Sequence, residues 1–525
     1  PLLAAPPPGY KVMNTSFVYK HKYAGDDAIM PEALPEEDWK ARMVVKGYLM
    51  VEGTDYHDTF APTASPTSVR LLAAVAAQLR CPIKAADFET AFLNSEMDTV
   101  VYVSTPSGYE AWAKFDLDEL LAMPPDFLPP KEVEPAGCRQ LLKGVPGIKQ
   151  GSRLFYLKLK GFLIDRGYTQ LPADPCVYYR FSPDGLTLLA IWVDDVLALV
   201  PNDGVWEDFV AEVRQVFRLS DKGAVSNFLG MDIQQSDDFS VVTLSQRKSI
   251  TDLLVRAGME NCNPAPTPCV AGFVWTKSDC PLVPQPNPAS MPNARGLAAL
   301  CVFIAMWTRP DILFVVNKIC KFMSNPGEVH LGALKRLCRY LAGTMDFGLV
   351  YTAARTDNRA SLGLHGFMDS SHMDCPDTSR STIAFMFFLD GCPISWFSKL
   401  HTFVTTCTNH SEYAALYAGA KEAVFLVEWL TPLAGVLNLT LAPVRIFNDN
   451  DGASALASDP VGRFKNKHIR MEQHYTQELV QEGVILPRRI PSTANVADVA
   501  TKALGPQIFP GHAKKLVGKV LASGA

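Results

Sequence analysis

The sequence has no long uninterrupted apolar run. Its most hydrophobic stretch, LTLLAIWVDDVLALV (186–200), is shorter than the roughly 20 residues a bilayer-spanning helix needs and carries two acids at its middle, so no membrane span is expected. It also lacks the closely paired cysteine spacings of zinc sites. The 12 cysteines, among them Cys81, Cys138, Cys176, Cys301 and Cys407, are scattered, and no secretory leader precedes them. They read as reduced thiols of a cytosolic or nuclear protein. An excess of positive charge is missing too: at a net charge of −5 the whole chain offers a phosphate backbone no attraction, and any nucleic-acid role must rest on local charge. No internal repeat stands out. What is present, 48% hydrophobic and 20% charged residues over 525 positions, fits about three folded units rather than a disordered chain. The first residue is Pro1 rather than methionine, so the chain reads as a piece of a longer polypeptide.

Residues 1–36 are rich in proline and small residues and read as a linker without a core. After them come a strand-like KARMVVKGYLM (40–50), the helical spacing of SVRLLAAVAAQL (68–79), and IKAADFETAFLN (83–94), a short strand that ends near Asp87 and passes into a helix-favouring segment. The stretch 111–137 carries three proline-containing clusters and reads as an insertion or surface loop. An amphipathic helix is predicted over 151–168, and TLLAIWVDDVLALV (187–200) reads as a buried hairpin around Asp194 and Asp195. Proline-rich breaks at 263–269 and 281–293 mark a boundary. In GEVHLGALKRLCRYLAG (327–343), Leu331, Leu334, Leu337 and Leu341 share one helical face. Beyond 346, four strand-like segments, a long helix, another strand and shorter helices predict a mixed sheet flanked by helices.

Two adjacent aspartates in an apolar hairpin need compensation, because unpaired ionised carboxylates cost several kcal/mol to bury. Divalent metal is one compensation, since hard oxygen ligands suit magnesium; exposure of Asp194 and Asp195 at a polar turn is the other. Four further acids stand at informative places: Asp369 in a strand-like run, Glu412 at a helix start, Asp449 at a strand end and Asp498 in NVADVATKAL (495–504). A folded sheet can gather them around metals that hydrolyse a phosphodiester; taken singly, each reads better as a surface or capping residue. Beside them Arg463, Lys465, Lys467, His468 and Arg470 form a local basic run suited to phosphate contacts, or a solvated loop.

KARMVVKG (40–47), DYHDTFAPTASPTSVR (55–70), DFETAFLN (87–94), VPGIKQGSRLFY (145–156), ADPCVYY (173–179), IWVDDVLAL (191–199), FLGMDI (228–233) and LSQRKSI (244–250) resemble, in their order, the reverse transcriptases of Copia-type (Pseudoviridae) LTR retrotransposon Pol polyproteins. RSTIAFMFFLDGCPISWFSK (380–399), SEYAALYAGAKEAVFLVEWL (411–430), FNDNDGASALA (447–457), KHIRMEQHY (467–475) and NVADVATKAL resemble that family's ribonuclease H region. There are departures: Ser371 stands where the family usually has a second aspartate, Asn409 and His410 replace its usual lead-in, and Arg470 replaces an aspartate.

The resemblance implies an α+β and α/β multi-domain chain, a right-hand polymerase (fingers, palm and thumb) followed by a ribonuclease H-like mixed-sheet domain. Its expected bounds are fingers and palm at 37–260, thumb or connection at 261–345, the ribonuclease H-like domain at 346–507 and a tail at 508–525. It implies RNA-directed DNA polymerase and ribonuclease H activities. Two Mg²⁺ ions per site (or Mn²⁺) would be held by Asp87, Asp194 and Asp195, and by Asp369, Glu412, Asp449 and Asp498. Lys40, Arg42, Phe92, Lys149 and Gln150 would meet the nucleotide, Phe92 as a gate against the ribose 2′-hydroxyl. The Phe228-Leu229-Gly230-Met231 turn would position the primer. RNA template, DNA primer, RNA–DNA hybrid and deoxynucleoside triphosphates are the implied partners, with other polyprotein products. A cytoplasmic virus-like particle or the nucleus is the implied location. The rival readings are an inactive relic that binds nucleic acid without catalysis, and a nuclease whose polymerase half is only a scaffold.

Overall fold

The computed structural model describes the chain except residues 1, 4, 22–38, 106–136, 284–290, 292, 354–362, 438–440, 442, 459–466 and 522–525. The expected insertion at 111–137 therefore lies outside the described residues, save Gly137. At the centre of the first half is a six-stranded antiparallel sheet in the order Leu219–Ala224, Ile83–Phe88, Asp195–Leu199, Gly185–Trp192, Asp174–Ser182 and Thr169–Leu171. Strand alternation sends Ile83, Ala85, Leu197 and Leu199 into the core around helix Pro66–Leu79. Ala86, Phe88, Val196 and Ala198 join the opposite core with helices Gly151–Asp165 and Asp203–Arg214. Covered on both faces, these strands read in sequence as nearly unbroken apolar runs.

Helix Pro66–Leu79 starts where Ser65 caps the Ser68 N–H and Pro66 occupies the first turn. The Ser65 N–H and the Ser68 hydroxyl both donate to Asp174 Oδ2, at 2.8 and 2.6 Å. The likeness at 173–179 and at 68–70 is thus one buried joint.

The N-terminal segment is not a coreless linker. Val12–Met13 pairs in parallel with Tyr102–Ser104, Thr15–His21 pairs with Trp39–Val45, and Met13 is buried with Val45, Met50, Val103 and Ile148. The isolated apolar pairs there are short, and the strand partners lie far along the chain, from His21 with Trp39 out to Val12 with Tyr102 and Leu2 with Arg139, so periodicity within the segment carried no strand signal.

The expected boundary at 346 also moves. Phe347–Thr352 pairs with Val241–Ser245 on one side and with Gly518–Lys519 on the other, closing a five-stranded sheet that begins at Asn227–Phe228. The expected tail contributes a strand and helix Phe509–Leu516, whose Phe509 and Leu516 are buried. Helices Ala294–Trp307, Leu313–Cys320 and Glu328–Ala342 lie between; all four leucines picked from the last are buried.

The second five-stranded sheet begins at His365. Its order is Cys392–Leu400, Thr382–Leu389, His365–Ser371, Val444–Asn448, Ile485–Arg489, antiparallel through the first three strands and parallel across the last two. Helix Thr408–Leu430 crosses it so closely that a Cβ on Gly419 would sit 2.1 Å from Met368 Sδ and push that side chain aside. Among the described residues no helix is long and apolar enough to cross a membrane.

Candidate active sites

In the first sheet, Asp195 lies directly opposite Asp87 in the register of their two strands, and Asp194 occupies the turn between Trp192 and Asp195. The Phe88 N–H donates to the Asp194 carbonyl at 2.7 Å, tying this turn to the neighbouring strand. Val193, also in the turn, has φ 55°, a left-handed conformation that costs a β-branched residue and is the kind of strain retained where geometry matters. Burial, then the charges of Asp194 and Asp87, push the Asp195 carboxyl up to about 6, while Lys222 pulls it down. Such crowding of carboxylates calls for a cation.

Asp87 and Asp194 open onto a cleft of about 900 Å³, lined also by Arg42, Phe92, Ser220 and Lys222. Arg42 and Phe92 thus stand with Asp87 and Asp194. The Lys40 side chain lies outside the described residues. Lys149 and Gln150 do not line the cleft. Lys149 Nζ donates to the Met50 carbonyl and the Tyr56 hydroxyl, each at 3.2 Å. Gln150 is fully buried, and its Nε2 donates to the Asp55 carbonyl (3.0 Å) and Thr99 (3.1 Å). Gln150 stands away from the cleft wall as a brace between loops, its Nε2 engaged with protein groups and its Oε1 buried without a partner.

Phe228 is buried in the main core and touches no open surface, so only the turn beyond it remains for a strand to meet. There Leu229 (φ 51°) and Gly230 (φ 76°) reverse the chain beside Phe303. Arg463 and Lys465 lie outside the described residues, as do the side chains of Lys467, His468 and Arg470. Ser220 and Lys222 escaped the sequence reading: they enter the cleft through the pairing of Leu219–Ala224 with Ile83–Phe88, which no local pattern signals.

In the second sheet, Asp369, Glu412 and Asp449 each bring a carboxylate oxygen within 4.8 Å of the others. Glu412 Oε2 is buried without a hydrogen-bond partner, an orphaned acceptor suited to a cation. Burial pushes the Glu412 carboxyl up to about 7 against the pull of Ser370. Burial likewise holds Asp369 well above the ordinary carboxylate range, against Lys502. Asp498 stands outside the three-acid group and joins it through Lys502, whose Nζ lies 2.7 Å from Asp498 Oδ1 and 3.3 Å from Asp369 Oδ1. Thr501 donates to Asp369 Oδ2. Lys502 was missed in the sequence, although a basic residue four positions after Asp498 on a helical segment was a legible signal.

Residues 2–271 match the family described as Reverse transcriptase (RNA-dependent DNA polymerase). The chain is 29% identical over 515 residues, 98% of its length, to the "Retrovirus-related Pol polyprotein from transposon TNT 1-94" of Nicotiana tabacum. It is 30% identical over 520 residues, again 98%, to the "Retrovirus-related Pol polyprotein from transposon RE1" of Arabidopsis thaliana. It spans about a third of these relatives, 36% and 32% of their lengths. Among solved structures, the foamy viral protease-reverse transcriptase in complex with RNA/DNA hybrid aligns with 87% of this chain and 49% of that one, at 13% identity and a TM-score of 0.41.

Proposed function

Because the chain belongs to the reverse transcriptase (RNA-dependent DNA polymerase) family, we propose that it extends a DNA primer on an RNA template at Asp87, Asp194 and Asp195, and cleaves the RNA of the hybrid at Asp369, Glu412 and Asp449, with Asp498 beside them. The observation that carries the reading is the cross-strand pairing of Asp195 with Asp87, where Asp87 and Asp194 line one cleft with Arg42 and Phe92. Both clusters suit hard divalent cations of the magnesium class, which when bound would activate a primer 3′-hydroxyl at one site and a water at the other and neutralise charge on the phosphate oxygens.

The residues themselves do the rest. Asp87, Asp194 and Asp195 fix where the cations and the phosphates meet. Arg42, exposed at the cleft wall, offers guanidinium N–H donors to triphosphate oxygens, and Lys222 supplies positive charge on the opposite strand. Phe92, half-buried against the palm core, presents an apolar edge where a ribose 2′-hydroxyl would lose its water without a partner, so deoxynucleotides are favoured. At the second site Thr501 and Lys502 hold the Asp369 carboxylate in place, and Asn495 Nδ2 anchors the Asp498 segment to the Met368 carbonyl at 2.9 Å.

The test is separable failure in magnesium. Asp194→Asn is expected to abolish primer extension and leave hybrid cleavage, and Asp449→Asn the reverse. Loss of both activities through either change, in a protein that stays folded, would overturn the two-site reading.

A further inference from the structure

The last turn of a helix leaves its carbonyls without partners inside the helix. In helix Ala294–Trp307 two of them are taken up by distant side chains: the Trp396 indole N–H donates to the Ala305 carbonyl at 3.0 Å, and Arg70 Nη1 donates to the Met306 carbonyl at 2.8 Å. Just beyond the helix, the buried Thr308 hydroxyl donates to Gln246 Oε1 at 2.8 Å. This end of the helix is thereby fixed to helix Pro66–Leu79 and to strand Cys392–Leu400.

From that mount two aromatic side chains, Phe303 and Trp307, reach toward the first site from one helical face, since residues four apart lie one turn above the other. Trp307 meets Trp192, with ring centroids 5.7 Å apart and planes at 58°. Trp192 pairs with Asp195 across the turn that holds Asp194 and directly precedes Val193. Phe303, whose ring centroid lies 6.3 Å from that of Trp307, meets a different turn: its Cζ is 3.5 Å from where a Cβ on Gly230 would sit. Each turn holds a non-glycine residue in the left-handed region, Val193 at φ 55° and Leu229 at φ 51°, and such strain persists only where the surroundings impose it. The first turn belongs to the six-stranded sheet and the second to the five-stranded sheet that begins at Asn227–Phe228, so no backbone pairing sets the distance between them. One pair of rings touches both.

We propose that Phe303 and Trp307 are positioning residues for primer extension: acting through Trp192 and through the Leu229–Gly230 turn, they fix the distance between the acidic turn and the place where the primer end is held. The assignment rests on the primer-extending reading of Asp87, Asp194 and Asp195. Neither ring lines the cleft, so their effect falls on the alignment of the reacting groups rather than on nucleotide binding. Alignment is costly to lose: a displacement of about 1 Å at a reacting centre slows a reaction by up to roughly a hundredfold.

The experiment is single-turnover incorporation of one deoxynucleotide by the full chain in magnesium, on a labelled DNA primer annealed to an RNA template, with hybrid cleavage by the same samples as an internal control. Trp307→Leu is expected to lower the maximal incorporation rate roughly tenfold, to leave the apparent Kd for the deoxynucleotide within about twofold, and to leave hybrid cleavage unchanged. Trp307→Phe, which keeps a ring against Trp192, is expected to restore most of the rate. A merely structural role would depress incorporation and cleavage together and show no such split. Should Trp307→Leu fail to fold, Phe303→Leu, at a half-buried position, gives the same measurement from the Gly230 side. An unchanged rate in folded variants, a weaker deoxynucleotide Kd at unchanged rate, or equal loss of both activities overturns the assignment. Failure of the underlying reading is seen separately: if Asp194→Asn incorporates as fast as the unaltered chain, the polymerase reading falls, whereas incorporation that needs Asp194 but ignores Trp307 and Phe303 overturns the positioning role alone.

Discussion

At the scale of single residues, the carboxyl of Glu412 sets a pH dependence with a definite sign. Its pKa rises from the ordinary 4.5 to about 7 because burial disfavours the charged form. A carboxyl whose pKa is raised on folding binds its proton more tightly in the folded state, so below about 4.5 both states are protonated and nothing is lost. Between about 4.5 and 7 the folded state is progressively penalised, and above about 7 the penalty is complete. In chelator, the chain is therefore expected to lose stability as pH rises through this window. Glu412→Gln should raise the unfolding midpoint at pH 8 by several degrees and leave it unchanged at pH 4, and a midpoint gain equal at both values would refute the argument. Added magnesium should recover the wild-type loss, since a bound cation stabilises the ionised form. Which carboxylates converge was legible only through the family resemblance, because taken singly each acid reads as well as an exposed turn, surface or capping residue, and Asp498 lies outside the group of Asp369, Glu412 and Asp449. What Lys149 and Gln150 do was not: a lysine-glutamine pair at the start of a helix looks the same whether it faces a cleft or braces Met50, Asp55 and Thr99, and only the distant partners decide.

At the scale of elements, helix Pro66–Leu79 serves both halves of the molecule. Arg70 is buried; its Nε donates to the Ile394 carbonyl at 2.7 Å and its Nη1 to the Met306 carbonyl at 2.8 Å, and its guanidinium stacks 3.8 Å from the Trp396 ring. Burial lowers its pKa to about 10, which still leaves it charged at neutral pH. From the other side Trp429 Nε1 donates to Ser68 at 3.0 Å. Replacing Arg70 by Ala strands two buried carbonyls and opens space under Trp396, so Arg70→Ala is expected to cost about 3 kcal/mol and to depress both activities together. Denaturant unfolding with parallel primer-extension and cleavage assays would check this; a variant that loses only one activity would not fit. The helix itself was legible from its apolar spacing and its Ser-Pro start. Its double role was not, because nothing local distinguishes an arginine exposed at a helix surface from one clamped by carbonyls more than 230 residues away.

At the scale of the whole molecule, one continuous apolar core runs from helix Pro66–Leu79 through helices Ala294–Trp307, Leu313–Cys320 and Glu328–Ala342 into the sheet that carries Asp369. It is pinned by a buried ion pair, Arg309 to Asp311 at 2.8 Å, whose carboxylate also accepts from Tyr340 at 2.6 Å. The order of elements along the chain predicted separable units with a boundary near 346, and the hydrophobic patterns found the strands and the long helix up to Asn448 but missed Ile485–Arg489 and Gly518–Lys519, where only helices were expected. They were silent on pairing: Phe347–Thr352 joins the sheet before it, and Gly518–Lys519 returns from the far end to flank it, so the second half is enclosed by the chain on both sides. The consequence is a molecule whose two chemistries separate but whose stability does not. Point changes at Asp194 or Asp449 act on one site each, since neither carboxylate contributes to the shared core. An opening between the two active-site sheets, in contrast, exposes Arg70, Trp396 and Trp429 at once. In urea, loss of primer extension and loss of hybrid cleavage are therefore expected at the same midpoint, with coincident fluorescence and circular-dichroism transitions. Two midpoints separated by more than the transition width would show that the core is two cores in contact, and the shared-helix account would fall with it.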